Sequence, residues 1–275
     1  MLKLVVCIKQ VPMVSELPWN AATGTLRREL AEGMMDPASK QALEAALYLK
    51  EQHGGHITTL TMGPPMAEEV LHEAAAAGAD RGILLTDPRM AGADTYMTAA
   101  ILSKAIQKEC SDFDLVMCGC QSSDSETAQV GPQLADELDI PEVAYVERMT
   151  LTGRTLSLQR ISDDFYETLE MDLPGLLTID LHYGIPRYVS LGGLQTGFEQ
   201  PNILCLTGKE LGLDPKLTAL KASPTRIINV YSPTAQKENI VLRGTAKKVV
   251  DELFLRFGEK ISGAMGKDLK THEHD

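Results

Sequence analysis

Between Phe113 and Leu138 the chain reads Phe-Asp-Leu-Val-Met-Cys-Gly-Cys-Gln-Ser-Ser-Asp-Ser-Glu-Thr-Ala-Gln-Val-Gly-Pro-Gln-Leu-Ala-Asp-Glu-Leu. Phe113–Cys118 is an apolar run of strand length, and Thr127–Leu138 sets Val130, Leu134 and Leu138 on one helical face. Strand-then-helix units precede this one. Leu2–Ile8 comes before Ala38–Gln52, where Ala42, Ala45, Ala46 and Leu49 recur at helical spacing. His56–Met62 comes before a helix opened by Pro64-Pro65 and running to Ala77. Proline suits a first helical turn, and Gly78 is placed to end the helix. Arg81–Thr86 then leads into Ala93–Lys108. Short apolar strands separated by helices of this length require right-handed crossovers and a parallel sheet. The expected fold class is therefore α/β, with a doubly wound, mostly parallel, Rossmann-like sheet.

Beyond Pro141 the pattern changes. Val143–Leu151 and Thr155–Ile161 flank Thr152-Gly153-Arg154 and read as a β-hairpin extension. Phe165–Met171 and Gly175–Asp180 add strands, and His182–Asn202 reads as an irregular Gly-rich stretch. Ala222–Arg243 is polar and weakly patterned, as an extended linker would be. Thr245–Phe257 carries Val249, Val250, Leu253 and Phe257 as an apolar stripe, which either folds back or reaches another protein as an arm. Lys267–Asp275 is a charged end expected to fray. The expected division is a domain over 1–221 and a linker with C-terminal arm over 222–275.

The bulk properties exclude several classes. The 275 residues carry a net charge of -12, which argues against a nucleic-acid surface. With 44% apolar residues the chain can bury a sizeable core. No 18-residue apolar run is present, so no membrane span is expected, and the apolar N-terminus is interrupted by Lys9 before any cleavage-type motif. A cytoplasmic location is expected. The five cysteines are odd in number and include Cys118-Gly119-Cys120; with no second Cys/His pair they read as free thiols, not a metal centre. The histidines lack metal-ligand spacing, Asp163 and Asp164 read as turn formers, and no G-x-S-x-G occurs. No catalytic set and no metal site is expected.

In an open parallel sheet, ligands sit beyond the carboxyl ends of the strands. That rule nominates Cys7–Val11, Asp36–Ser39, Met62–Pro65 and Gly119–Gly131. The last joins a strand to a helix through small and hydroxyl residues. Its backbone N–H groups, helped by Ser125 and Thr127, either bind phosphate or form an ordinary capped loop. Lys9 either meets a phosphate or is merely solvated. Neither a G-x-x-x-x-G-K-[ST] loop nor a G-x-G-x-x-G turn is present, which disfavours a P-loop ATPase and a standard dinucleotide domain.

At these segments the sequence resembles the electron-transfer flavoprotein β-subunit family along nearly its whole length. The resemblance is carried by Val5-Val6-Cys7-Ile8-Lys9-Gln10-Val11-Pro12, by Met35-Asp36-Pro37-Ala38-Ser39, where the family more often has Asn than Asp36, and by Thr61-Met62-Gly63-Pro64-Pro65. It continues through Ala77-Gly78-Ala79-Asp80 and the signature-like Arg160–Leu169 with Pro174–Thr178. Phe165 and Leu158 depart from the family pattern. The resemblance implies an adenine-nucleotide site built from Cys7, Lys9, Asp36, Pro37, Ala38, Ser39, Met62, Gly63, Thr95, Gly119, Gln121, Asp124, Ser125, Glu126, Thr127, Ala128, Gln129 and Val130. In the housekeeping branch this site holds a structural AMP, with a single FAD on the α subunit. In the electron-bifurcating branch it holds a second FAD. Thr61–Pro65, Ala91–Thr95 and Glu126–Pro132 are more similar to the bifurcating branch, whereas Cys120 stands where a longer residue, often Arg, is common.

The resemblance further implies an α-subunit partner contacted by the C-terminal arm. It implies a partner-docking loop at about 182–202, in which Leu191 would dock on an acyl-CoA dehydrogenase. The residues after Leu191 lack the basic stretch that many members have. As a bifurcating subunit the chain would use FAD, take hydride from NADH, and send electrons to ferredoxin and, through the α-subunit FAD, to the dehydrogenase. It would act as an electron carrier whose enzyme activity exists only in the αβ complex. A stand-alone ATP-binding domain is the reading from another class.

Overall fold

The computed structural model describes residues 1–13, 19–20, 25–26, 33–163, 165–214, 218–225, 228 and 240–268. The chain divides into two units, Met1–Ile228 and Asn229–Asp275. In the first, strands and helices alternate as β1 (Leu2–Cys7), α1 (Pro37–His53), β2 (Gly55–Met62), α2 (Glu68–Ala77), β3 (Arg81–Leu85), α3 (Thr95–Glu109), β4 (Leu115–Gly119) and α4 (Val130–Leu138). There follow β5 (Glu142–Thr152), β6 (Thr155–Ser162), β7 (Phe165–Asp172), β8 (Gly175–Ile179), α5 (Leu191–Glu199), β9 (Ile203–Leu206) and the short α6 (Ala219–Ala222). The second unit contains α7 (Ala246–Asp268).

The nine strands form one sheet in the order β7-β6-β5-β8-β4-β1-β2-β3-β9. Six of its eight pairings are parallel, and only β5–β6 and β6–β7 are antiparallel. The mostly parallel α/β fold read from the sequence is the fold observed. The sheet is covered on both faces, as its apolar strands require. Leu4 and Val6 of β1 join the core beneath α1 and α2, whereas Val5 joins the core beneath α3 and α4. From β1 the chain winds to β2 and β3 on one side, then returns to place β4 on the other. The gap between β1 and β4 is thus the topological switch point, where an open sheet has its crevice.

The hairpin β5–β6 turns through Gly153 and Arg154, with Gly153 at φ +64, the conformation a two-residue hairpin turn needs. Tyr145, at φ +58, lies where the β5–β8 register shifts. The strand bends there, and Arg154 at the hairpin tip reaches Asp114 ahead of β4, 2.9 Å away.

Several expectations need correction. The helix expected from Thr127 begins only at Val130. The irregular stretch His182–Asn202 contains α5, and α7 runs eleven residues past Phe257 to Asp268. The edge strand β9 and the ribbon of Gln10–Pro12 with Gly33–Met35 were not foreseen. Ser223 and Thr225, assigned to the linker, are tied to Asp94: Ser223 Oγ accepts from the Asp94 amide, and the Thr225 amide donates to its carboxylate. Residues 226–227 and 229–239 of the expected linker, Asp164 and the end beyond Asp268 lie outside the described residues.

Helix α5 comes closest to α2 through its glycines. A Cβ on Gly193 would stand 2.3 Å from the Ala76 carbonyl oxygen, and one on Gly197 would stand 2.6 Å from the Ala76 nitrogen. Ser190 caps the helix by accepting from the Gly193 amide. His72 of α2 contacts the Gly197 carbonyl through Nδ1 at 3.0 Å and stacks on Phe198.

Candidate functional site

Asp36 organises the switch point. It is 1% exposed and caps α1, its Oδ2 accepting from the amides of Ala38 (3.0 Å) and Ser39 (3.2 Å). Pro37 occupies the first helical position, where no N–H is needed. The other carboxylate oxygen accepts from the Ser123 amide at 2.8 Å. The Asp36 amide in turn donates to the Lys9 carbonyl, and the Lys9 amide to Ser39 Oγ. One buried carboxylate therefore joins the exit of β1, the start of α1 and the β4–α4 loop. Gly119 completes the junction, because a Cβ there would lie 2.6 Å from the Ala38 carbonyl carbon.

The loop after Gly119 is held by polar contacts. Lys9 Nζ, far from merely solvated, donates to Asp124 Oδ1 (2.6 Å) and Ser122 Oγ (3.1 Å). Ser122 Oγ also contacts Ser125 Oγ at 2.9 Å. Glu126 and Ala128 both adopt left-handed backbone, with φ +50 and +54. The amides of Thr127 and Ala128 make no hydrogen bond among the described residues, and no side chain caps α4. Of the two readings left open by the sequence, the ordinary capped loop is not the one observed, since neither Ser125 nor Thr127 caps α4. Alternating handedness beside an uncapped helix start turns N–H groups to one side, the form of an anion-binding nest. Across the loop, Thr95 Oγ1 at the start of α3 donates to Gln129 Oε1 at 2.9 Å. Met62 ends β2, and the Gly63 amide donates to the Leu85 carbonyl.

The structure thus brings together Lys9, Asp36, Ala38, Ser39, Gly119 and the Gln121–Val130 loop, with Thr95 against Gln129. Cys7 ends β1 at the same crevice. It sits opposite Cys118 on the neighbouring strand, and hydrogen bonding to Cys118 with burial pushes its thiol well up. Burial and the Asp180 carboxylate likewise raise the Cys120 thiol. A thiol raised in this way stays protonated near neutral pH.

Leu191 is the first residue of α5 and is 86% exposed, beside the exposed apolar side chains of Ile185, Tyr188, Leu194 and Phe198. Arg187 anchors this segment to α1. Its guanidinium donates to Glu44 (2.8 Å) and to Glu51, and its amide also reaches Glu44. Burial pushes the Glu44 carboxyl up, but the hydrogen bonds from Arg187 outweigh it and hold the carboxyl below its usual value. Sequence reasoning missed Asp180, His182 and Glu147, which meet just past the end of β8. Only the Asp180-x-His182 spacing was legible, and nothing in the sequence tied Glu147 to it.

An open, doubly wound sheet with an N–H-lined crevice at its switch point defines an α/β protein of the ligand-at-the-strand-ends class. Residues 23–187 match the electron transfer flavoprotein domain. The chain is 40% identical over 259 residues to the electron transfer flavoprotein subunit beta of Thermoanaerobacterium thermosaccharolyticum, covering 94% of this chain and 99% of that one. It is 39% identical over 261 residues to the caffeyl-CoA reductase-Etf complex subunit CarD of Acetobacterium woodii, with coverage of 94% and 99%. It is 36% identical over 265 residues to the acryloyl-CoA reductase electron transfer subunit gamma of Anaerotignum propionicum, again with 94% and 99% covered. The chain belongs to the electron transfer flavoprotein family, among its β subunits. Among the described residues, no helix is long and apolar enough to cross a membrane.

Proposed function

We propose that this chain is the β subunit of a heterodimeric, bifurcating electron-transfer flavoprotein and holds FAD in the crevice between β1 and β4. The observation that carries this reading is the donor-lined loop at the switch point, with Thr127 and Ala128 amides lacking acceptors among the described residues beside Lys9. The amides of Thr127–Gly131 and the Lys9 ammonium would hold the phosphates, Asp36 and Gly119 would fix the frame they hang on, and Thr95 with Gln129 would close the far side. When bound, FAD supplies hydride acceptance from NADH and onward release of electrons to ferredoxin and, through the α-subunit FAD, to an acyl-CoA dehydrogenase.

Charge favours FAD over AMP. The loop carries Asp124 and Glu126, and Lys9 reaches it from the exit of β1. A phosphomonoester concentrates close to two negative charges on one phosphate near neutral pH. A pyrophosphate diester spreads the same charge over two, and meets less repulsion here. The bifurcating-type stretches Thr61–Pro65, Ala91–Thr95 and Glu126–Pro132 support the same choice. The names of the CoA-ester reductase relatives support an acyl-CoA dehydrogenase as electron partner. Helix α7, beyond the α/β domain, is assigned to the α-subunit contact.

Flavin and nucleotide content tests the reading directly. The chain co-expressed with its α subunit, denatured and chromatographed, is expected to release two FAD and no AMP per heterodimer. One FAD and one AMP would leave a housekeeping carrier instead. Docking is tested separately. Leu191→Ala is expected to raise KM for the dehydrogenase about tenfold or more, the loss typical of an interface anchor, while flavin reduction by NADH is unchanged. An unchanged KM would remove Leu191 from the docking surface.

A further inference from the structure

The geometry points to a binding site for one divalent transition-metal cation formed by Glu147, Asp180 and His182, where β5 runs beside the end of β8. One ligand atom from each of the three lies within 4.8 Å of the others. The closest pair is His182 Nδ1 and Asp180 Oδ1, 2.8 Å apart. Ligands around a tetrahedral cation with bonds of about 2.1 Å stand about 3.4 Å from one another. The 2.8 Å between His182 Nδ1 and Asp180 Oδ1 and the 4.8 Å limit on the set bracket that spacing.

The backbone carrying these donors is already fixed. The Asp180 amide donates to the Val146 carbonyl at 3.0 Å, which locks β5 at Glu147 beside Asp180. The His182 amide donates to Asp180 Oδ1 at 2.8 Å, and the Tyr183 amide to the Asp180 carbonyl at 3.2 Å. Gln41 of α1 clamps the same turn, its Nε2 donating to the carbonyls of Leu181 (3.0 Å) and Gly184 (2.9 Å). A cation would find its ligands preorganised.

The charge balance is the independent sign. Asp180 is 9% exposed, and a buried aspartate is ordinarily paired. Among the described residues no lysine or arginine pairs with it, and His182 is its only ion-pair partner. The Glu147 side chain has no hydrogen bond or ion pair among them. Two carboxylates, one nearly buried, thus converge with an imidazole and no fixed cation. The Asp180 charge also contributes to raising the Cys120 thiol.

The donor set selects the ligand class. One imidazole and two carboxylates suit Zn²⁺, Mn²⁺, Fe²⁺ or Co²⁺, whereas Mg²⁺ and Ca²⁺ prefer all-oxygen shells and Cu(I) prefers sulfur. The His182 side chain is 85% exposed, so the cation has an open approach and keeps a coordination position for water.

The test uses the αβ complex stripped with a chelator and dialysed to equilibrium against Zn²⁺ and, separately, Co²⁺, with bound metal measured directly. One saturable ion is expected for this site. It should be weakened tenfold or more by His182→Gln and by Glu147→Gln, with flavin content unchanged in both variants. No saturable ion, or an ion that survives both substitutions and so resides on other histidines or thiols, would overturn the proposal. Because the readout is bound metal, it stands whichever nucleotide the crevice holds.

Discussion

Asp36→Ala is expected to destabilise the protein by about 2–4 kcal/mol and, if the crevice holds the proposed nucleotide, to release it. Loss of a helix N-cap costs about 1–2 kcal/mol, and leaving a buried donor without a partner costs about 1–3 kcal/mol. Here one substitution removes the acceptor of three amides, those of Ala38, Ser39 and Ser123. The first two loosen the start of α1, and the third detaches the β4–α4 loop. Asp36→Asn keeps one side-chain oxygen as acceptor and is expected to lose much less. Urea denaturation of both variants, with nucleotide content measured alongside, makes the comparison. A stability within about 0.5 kcal/mol of the parent for the alanine variant would show that the junction does not depend on this carboxylate.

Gly119→Val should be at least as damaging, through crowding. The new Cβ would fall 2.6 Å from the Ala38 carbonyl carbon and 2.9 Å from its oxygen. These are backbone atoms in a helix pinned by Asp36, and Gly119 sits in a strand flanked by β1 and β8. Neither side can yield cheaply, so a cost at or above the upper end of overpacking, about 3 kcal/mol, is expected. Gly184→Ala is the control, since nothing lies within 4 Å of its added Cβ. It should change stability by less than about 0.5 kcal/mol. Thermal denaturation of the two variants side by side decides the matter, and equal melting temperatures would contradict the close approach at Gly119.

The parallel sheet was legible because its evidence is local. Each strand is a short apolar run, each crossover a periodic helix, and the handedness rule does the rest. The segments of the crevice were legible for the same reason, since the switch-point rule acts on strand ends alone. What failed was whatever depended on distant partners. The helix expected from Thr127 starts only at Val130, because Lys9, more than a hundred residues earlier, holds the preceding loop through Asp124 and Ser122. Helix α5 was hidden because Gly193 and Gly197 are poor helix formers. Their close approach to Ala76 rewards the missing side chains, a tertiary gain that local propensity does not register. Glu147 and Asp180 are 33 positions apart in sequence and meet only because β5 lies beside β8.

The way α5 is seated separates two kinds of selection. Its closest inward approach is made by Gly193 and Gly197 against the Ala76 backbone, with Phe198 stacked on His72, whereas Leu191 is 86% exposed and Gln195 is exposed as well. Exchanging Leu191 or Gln195 leaves the junction with α2 intact. If this helix docks a redox partner as proposed, its nine residues can be rewritten on the outer face for a different partner without disturbing the close approach to α2. Divergence among relatives should accumulate on the outer face of this helix, with Gly193, Gly197 and Ala76 as its invariant hinge plate.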